Sequence, residues 1–105
     1  MVKIDGNKIH MTRGDSLEIG VMIDGYVPVS GDKVTFRLKD RALTGGVLFE
    51  KSISPTTMML KIDPDDTKNL EPQIYRYEIE LVKSGGFTST IIEWEVFELG
   101  KEIGR

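Results

Sequence analysis

Residues 74–99 read IYRYEIELVKSGGFTSTIIEWEVFEL, and this stretch decides the fold. In its first half Tyr75, Tyr77, Ile79 and Leu81 alternate with Arg76, Glu78 and Glu80. Period-two alternation is the signature of a strand with one buried and one solvated face. Gly85 and Gly86 supply the positive φ that a two-residue primed turn needs. Such a turn sets Ser84 opposite Phe87, Tyr77 opposite Trp94, Ile79 opposite Ile92 and Tyr75 opposite Val96. The apolar faces of the two strands then coincide, as they do in a stable hairpin. A slip of one residue would bring Tyr77 against Glu93.

Working outward, the N-terminal side holds more of the same grammar. Val2–Ile4 and Lys8–Met11 flank the turn former Asp5-Gly6-Asn7. Thr12-Arg13-Gly14-Asp15 turns the chain into a strand over residues 16–23, where Leu17, Ile19, Val21 and Ile23 alternate with Glu18, Gly20 and Met22. A loop with Gly25, Pro28 and Gly31 leads to a strand over residues 33–39 with Val34, Phe36 and Leu38 on one face. Val47, Phe49 and Ile53 mark a further strand interrupted by Lys51, an inward charge of the kind that protects an edge from unwanted pairing. Met58, Leu60 and Ile62 form another. Asp63 as N-cap, Pro64 in the first helical position and Asp66 in the first turn predict one short helical turn over Pro64–Leu70, before Pro72. That turn joins two sheets at a corner and drops Leu70 into the core.

A chain of 105 residues fits one domain with its own core. The expectation is all-β: a single immunoglobulin-like antiparallel β-sandwich over residues 1–105, with about seven strands. Lacking cysteine, it has no disulfide, thiol nucleophile or thiolate metal ligand; Trp94, Phe36 and the two tyrosines would fill the space of the immunoglobulin disulfide. The net charge of -3, with bases scattered among acids, argues against a nucleic-acid partner. No run approaches the roughly 20 apolar residues of a membrane span, and residues 1–11 lack a signal peptide's apolar core.

Chemistry-bearing groups have plain structural explanations. Arg13-Gly14-Asp15 is the tripeptide integrins bind, yet Gly-Asp before a strand is ordinary turn chemistry. His10, the sole histidine, shares a polar face with Lys8 and Thr12 and has no nucleophile or acid in a triad pattern. Asp63, Asp65 and Asp66 lack the spacing of a calcium loop and are explained by capping. No catalytic, cofactor or metal residue is expected, and no enzyme. The outer hairpin face is the candidate interface. The register sets Glu78 opposite Glu93 and Arg76 opposite Glu95, a face that could dock a basic surface. Ile91, Phe97 and Leu99 fall on the same side if alternation continues, so either a bulge near Val96 swaps the face or another subunit covers it.

In order and spacing, several segments resemble the small β-sandwich tail proteins of phages and prophages of Gram-positive bacteria, including the N-terminal domain of baseplate upper proteins. The resemblance covers most of the chain. It is carried by Arg13-Gly14-Asp15, Gly31-Asp32 with Val34, Thr35 and Phe36, the corner Ile62, Pro64, Asp66, Thr67 and Leu70, the strand Tyr75, Tyr77, Ile79 and Leu81, and Thr90-Ile91. Two places depart from it: Glu71-Pro72-Gln73 and Glu93-Trp94-Glu95 stand where glycine is common in that family, and the chain ends at Arg105 where baseplate proteins continue. The resemblance implies a virion component made in the bacterial host cytoplasm that packs against other tail proteins or copies of itself. The competing expectation is a host-side module recognising a glycan or peptide on a sheet face, which requires exposed aromatic rings in one plane.

Overall fold

The computed structural model describes residues 2–5 and 7–102. Among them lie eight strands and one helical turn: β1 Val2–Asp5, β2 Lys8–Thr12, β3 Leu17–Gly20, β4 Lys33–Asp40, β5 Phe49–Ile53, β6 Met59–Ile62, α1 Pro64–Thr67, β7 Gln73–Val82 and β8 Thr88–Gly100. The protein is all-β. A six-stranded sheet runs in the order β1-β2-β8-β7-β4-β5 and a two-stranded sheet pairs β3 with β6. Every pairing is antiparallel except that of β2 with β8, which is parallel and sets Ile9 beside Phe97 and Met11 beside Leu99. Placing the third and sixth strands in one layer and the eighth, seventh and fourth in the other gives the immunoglobulin-like sandwich.

Alternation places the core. Val34, Phe36 and Leu38 of β4, Tyr75, Tyr77, Ile79 and Leu81 of β7, and Leu60 and Ile62 of β6 are all buried. Phe36 stacks on Tyr77 with ring centroids 5.3 Å apart and packs on Phe97 at 6.2 Å and Phe49 at 5.8 Å. Offset and tilted aromatic pairs of this kind stabilise beyond their buried area. The space of the missing disulfide is therefore filled by Phe36, Tyr77 and Phe97, and Trp94 takes no part.

The corner is locked from both sides. Asp66 Oδ2 accepts the Asp63 N–H at 2.8 Å, so the first turn of α1 is capped as its acids predict. Lys51 faces inward from the edge strand β5 and reaches Asp63 at 3.1 Å and Asp66 at 2.9 Å. Buried Thr67 accepts the Gly14 N–H on Oγ1 at 3.0 Å, and Arg13 donates to Glu102 and to the Leu70 carbonyl. Tyr75 donates its hydroxyl to the Glu71 carbonyl at 2.6 Å, the tyrosine corner seen where such sandwiches cross between sheets. Leu70 packs partly buried against the core.

The central hairpin departs from its expected register. Lys83 C=O accepts the Gly86 N–H and Lys83 N–H donates to Phe87 C=O, each at 2.8 Å, with Gly86 at φ 94°. This is a three-residue loop closed by a left-handed glycine, in place of the two-residue Gly85-Gly86 turn. Pairing therefore starts with Val82 opposite Thr88. Two irregularities in β8 then shift it, through Ile79 opposite Ile92, to Tyr77 opposite Glu95 and Tyr75 opposite Phe97. Only the Ile79–Ile92 pair matches the expectation. The residue inserted between Ile92 and Glu95 reverses the inward face relative to the expected register, so Phe97 and Leu99 turn into the core, at 0% and 2% exposure, while Trp94 sits at φ 41° beside Lys39 on the outside. A bulge resolves the exposed stripe, and no covering subunit is needed for it.

Candidate interaction surface

The expected outer-face constellation is broken up by that bulge. Arg76 keeps its outer position between Lys39 and Val96. Glu78 keeps its own too, but its partner is Arg37 at 3.0 Å, with Glu80 at 3.1 Å and Glu50 at 3.2 Å on the same guanidinium. The shared cation offsets the charge of Glu78, which lies at the register shift and has no paired residue in β8. Glu93 is exposed beside the bulge. Glu95 faces inward opposite Tyr77, and together with burial its charge pushes the Tyr77 hydroxyl up to about 12, burial being the larger cause. Ile91 is half-buried, and Phe97 and Leu99 belong to the core. Trp94 lies on the outer face with Lys39 Nζ 5.4 Å from its ring.

Other singled-out groups are engaged structurally. Arg13 is tied down by Glu102, which together with the Leu70 carbonyl leaves the Arg13-Gly14-Asp15 turn serving the corner. His10 Nδ1 lies 2.8 Å from Glu98 on the outer face. Among the described residues no group of three or more histidine, aspartate or glutamate side chains is arranged to hold a metal ion. No helix among them is long and apolar enough to cross a membrane.

The structure instead builds a surface at one end of the sandwich, from the loop joining β3 to β4 and the turn joining β7 to β8. Asp32, 7% exposed, is its keystone. Its Oδ2 accepts the Tyr26 hydroxyl at 2.5 Å and the Val29 N–H at 3.0 Å, and its Oδ1 accepts the Ser84 N–H at 3.3 Å. These donors, the tyrosine hydroxyl foremost, hold the Asp32 carboxyl below the usual carboxylate range. Lys83 stretches over the Tyr26 ring at 4.1 Å and the Phe87 ring at 5.1 Å. Gly31, at φ 101°, passes close to Ser84, where a Cβ would lie 3.5 Å from the serine Cβ. The polar groups of this cross-tie are satisfied among themselves. Beside exposed Ser30, Lys33, Ser84 and Thr88, this end presents three large apolar side chains to solvent: Val27 is 83% exposed, Val29 56% and Phe87 64%. Exposed apolar side chains on a tied-down scaffold are suited to contact with another protein.

A second feature lies between the layers. Ile9, Ile19, Val21, Tyr77, Ile79 and Ile92 line a cleft of about 270 Å³. It adjoins a more polar compartment of about 370 Å³ that shares Asn7, Met22 and Ile92 and adds Asp24. Tyr77 is 2% exposed, so its ring forms the floor and offers no platform. Sequence reasoning missed both features. The loop residues carried only turn signals, and Asp32 reveals its role only when Ser84, 52 positions away, is brought beside it.

No protein-family model matches the chain, and no curated protein matches it. Among solved structures, it is similar to CopC from Methylosinus trichosporium OB3b, with 14% identity over 91% of this chain and 86% of that one and a TM-score of 0.49.

Proposed function

We propose that this protein is a non-enzymatic structural component of a phage or prophage virion, used in tail or baseplate assembly, where it packs against neighbouring tail proteins or copies of itself. The observation that carries the packing reading is the pre-ordered apolar end: Val27, Val29 and Phe87 project from loops cross-tied by Asp32. Ordering those loops in advance lowers the entropic cost of association. The assignment to a virion rests on the resemblance carried by the corner and by the tyrosine strand. The alternative, a host-side module gripping a glycan or peptide on a sheet face, is weaker because Tyr75 and Tyr77 are buried and form no ring platform beside Trp94.

The test is direct. Particles released from a producing host are purified and probed with antibody to this chain by mass spectrometry and immunogold microscopy. The reading expects the chain at fixed stoichiometry with label on the tail; its absence from intact particles overturns the reading.

A further inference from the structure

Two lysines border the apolar end. Lys33 pairs with Val82, the residue before Lys83, so both side chains stem from one rung of the β4–β7 ladder, next to the loops that carry Val27, Val29 and Phe87. Lys83 Nζ lies 4.1 Å from the Tyr26 ring and 5.1 Å from the Phe87 ring, which holds the ammonium at the apolar surface itself. Neither lysine forms an ion pair among the described residues. The neighbouring acids are already engaged. Asp32, 7% exposed, accepts from the Tyr26 hydroxyl and from the Val29 and Ser84 N–H groups. Glu80, opposite Thr35 on the same ladder, accepts from Arg37. Asp24 opens the β3–β4 loop but lines the compartment with Ile91 and Ile92, roughly 13 Å along the chain from Phe87. In a chain of net charge -3, this end is therefore cationic where it is apolar.

We propose that this end is the docking site for an acidic segment of another protein, one that carries carboxylates on either side of an apolar side chain. The apolar side chain covers Val27, Val29 and Phe87, and the carboxylates meet Lys33 and Lys83. An exposed ion pair is weak in part because two long side chains must be ordered to make it. Lys83 is already ordered by the two rings, and apolar contact beside it excludes the water that would screen the pair. A second copy fits less well. Packing this end on itself would set the lysines of both copies against one another. Another exposed apolar group, Leu43, Val47 and Leu48, brings exposed Arg41, and the Asp40 carboxylate beside it already accepts from Thr44. A nucleic acid calls for a run of bases in place of two. The protein guest rests on the packing reading above, whereas its acidic character rests on the two lysines.

The experiment titrates the isotope-labelled full chain with a capped nonapeptide alternating glutamate and leucine, and in parallel with its lysine-leucine counterpart and with oligothymidylate, following affinity and amide shifts by NMR. The glutamate-leucine peptide should bind at least about tenfold more tightly than either comparison and shift the amides of Val29, Lys83, Ser84 and Phe87. Lys33→Gln with Lys83→Gln should weaken it about tenfold. A tenfold rise in salt should do the same to wild type and move the glutamine variant by less than about threefold. Lys83→Arg keeps both the charge and the contact with the rings and stays within about threefold. Failure of the glutamate-leucine peptide to bind overturns the proposal, as does equal binding of the lysine-leucine peptide or wild-type affinity in the folded glutamine variant. Tighter binding of oligothymidylate would assign the end to a nucleic acid, and concentration-dependent shifts of the same amides without peptide would assign it to a second copy. Val27→Ser with Phe87→Ser separates this proposal from the reading beneath it. Peptide lost there but fully bound by the glutamine variant keeps the packing surface and removes the acidic guest, whereas full binding by the serine variant removes the packing surface.

Discussion

Replacing Thr67 with valine isolates the lock between the corner and the β2–β3 turn. The side chain is fully buried, and its Oγ1 is the acceptor for the Gly14 N–H at 3.0 Å. Valine has nearly the same shape, so no cavity opens; what changes is that a main-chain donor loses its partner in a part-buried site. An unsatisfied buried donor costs about 1–3 kcal/mol. For a domain of this size each kcal/mol moves the melting temperature by roughly 4–8 °C. A loss near 2 kcal/mol therefore means a fall of about 8–16 °C. Thr67→Ser keeps the oxygen and loses one methyl, about 1 kcal/mol, and separates hydrogen bonding from packing. Urea unfolding with an unchanged slope gives the free energies, and amide exchange at Gly14 reports the bond itself. Should Thr67→Val melt within 2 °C of wild type, or leave Gly14 exchange unaltered, the corner is not held in the way described.

Three further outcomes follow from the geometry. Trp94→Gly should change stability by less than about 1 kcal/mol, because relief of the left-handed backbone offsets the lost contact with Lys39; a buried tryptophan would cost several times more, and urea midpoints decide between them. The Tyr77 hydroxyl ionises near 10 in the unfolded chain and about 12 in the folded one, so between those values the unfolded state holds fewer protons and stability falls as pH rises. Tyr77→Phe should flatten that alkaline limb in midpoints measured from pH 9 to 12. For Asp32 the sign is opposite: its lowered carboxyl adds stability above the ordinary carboxylate range that is lost as pH falls through its folded value, and Asp32→Asn should shallow the acid limb.

Where local pattern and global structure agreed, the sequence was readable. Alternation located β3, β4 and β7, the Asp63-Pro64-Asp66 order located α1, and Lys51 announced an edge strand with an inward charge. The hairpin register was not readable, because a pair of glycines serves either a two-residue turn or the closing position of a three-residue one. Its trace was nonetheless present. Ile92 and Phe97 cannot both face inward on an unbroken strand, and the one residue inserted between Ile92 and Glu95 reconciles them. Glu93-Trp94-Glu95 contains the residue whose backbone takes the left-handed conformation, one that glycine adopts without strain. The loop end was hidden for another reason. Its order depends on the long-range bonds of Asp32 to Ser84 and the reach of Lys83 to Tyr26, which no local pattern encodes.

The most direct measurement is sedimentation of the wild-type chain and of the Val27→Asp, Phe87→Asp double variant over a wide concentration range, alone and mixed with the products of adjacent genes. A building block that works through its apolar end will associate as wild type and fail to do so as the double variant, with equal melting temperatures. Wild-type protein that stays monomeric in every mixture, or a double variant that associates equally well, contradicts the account.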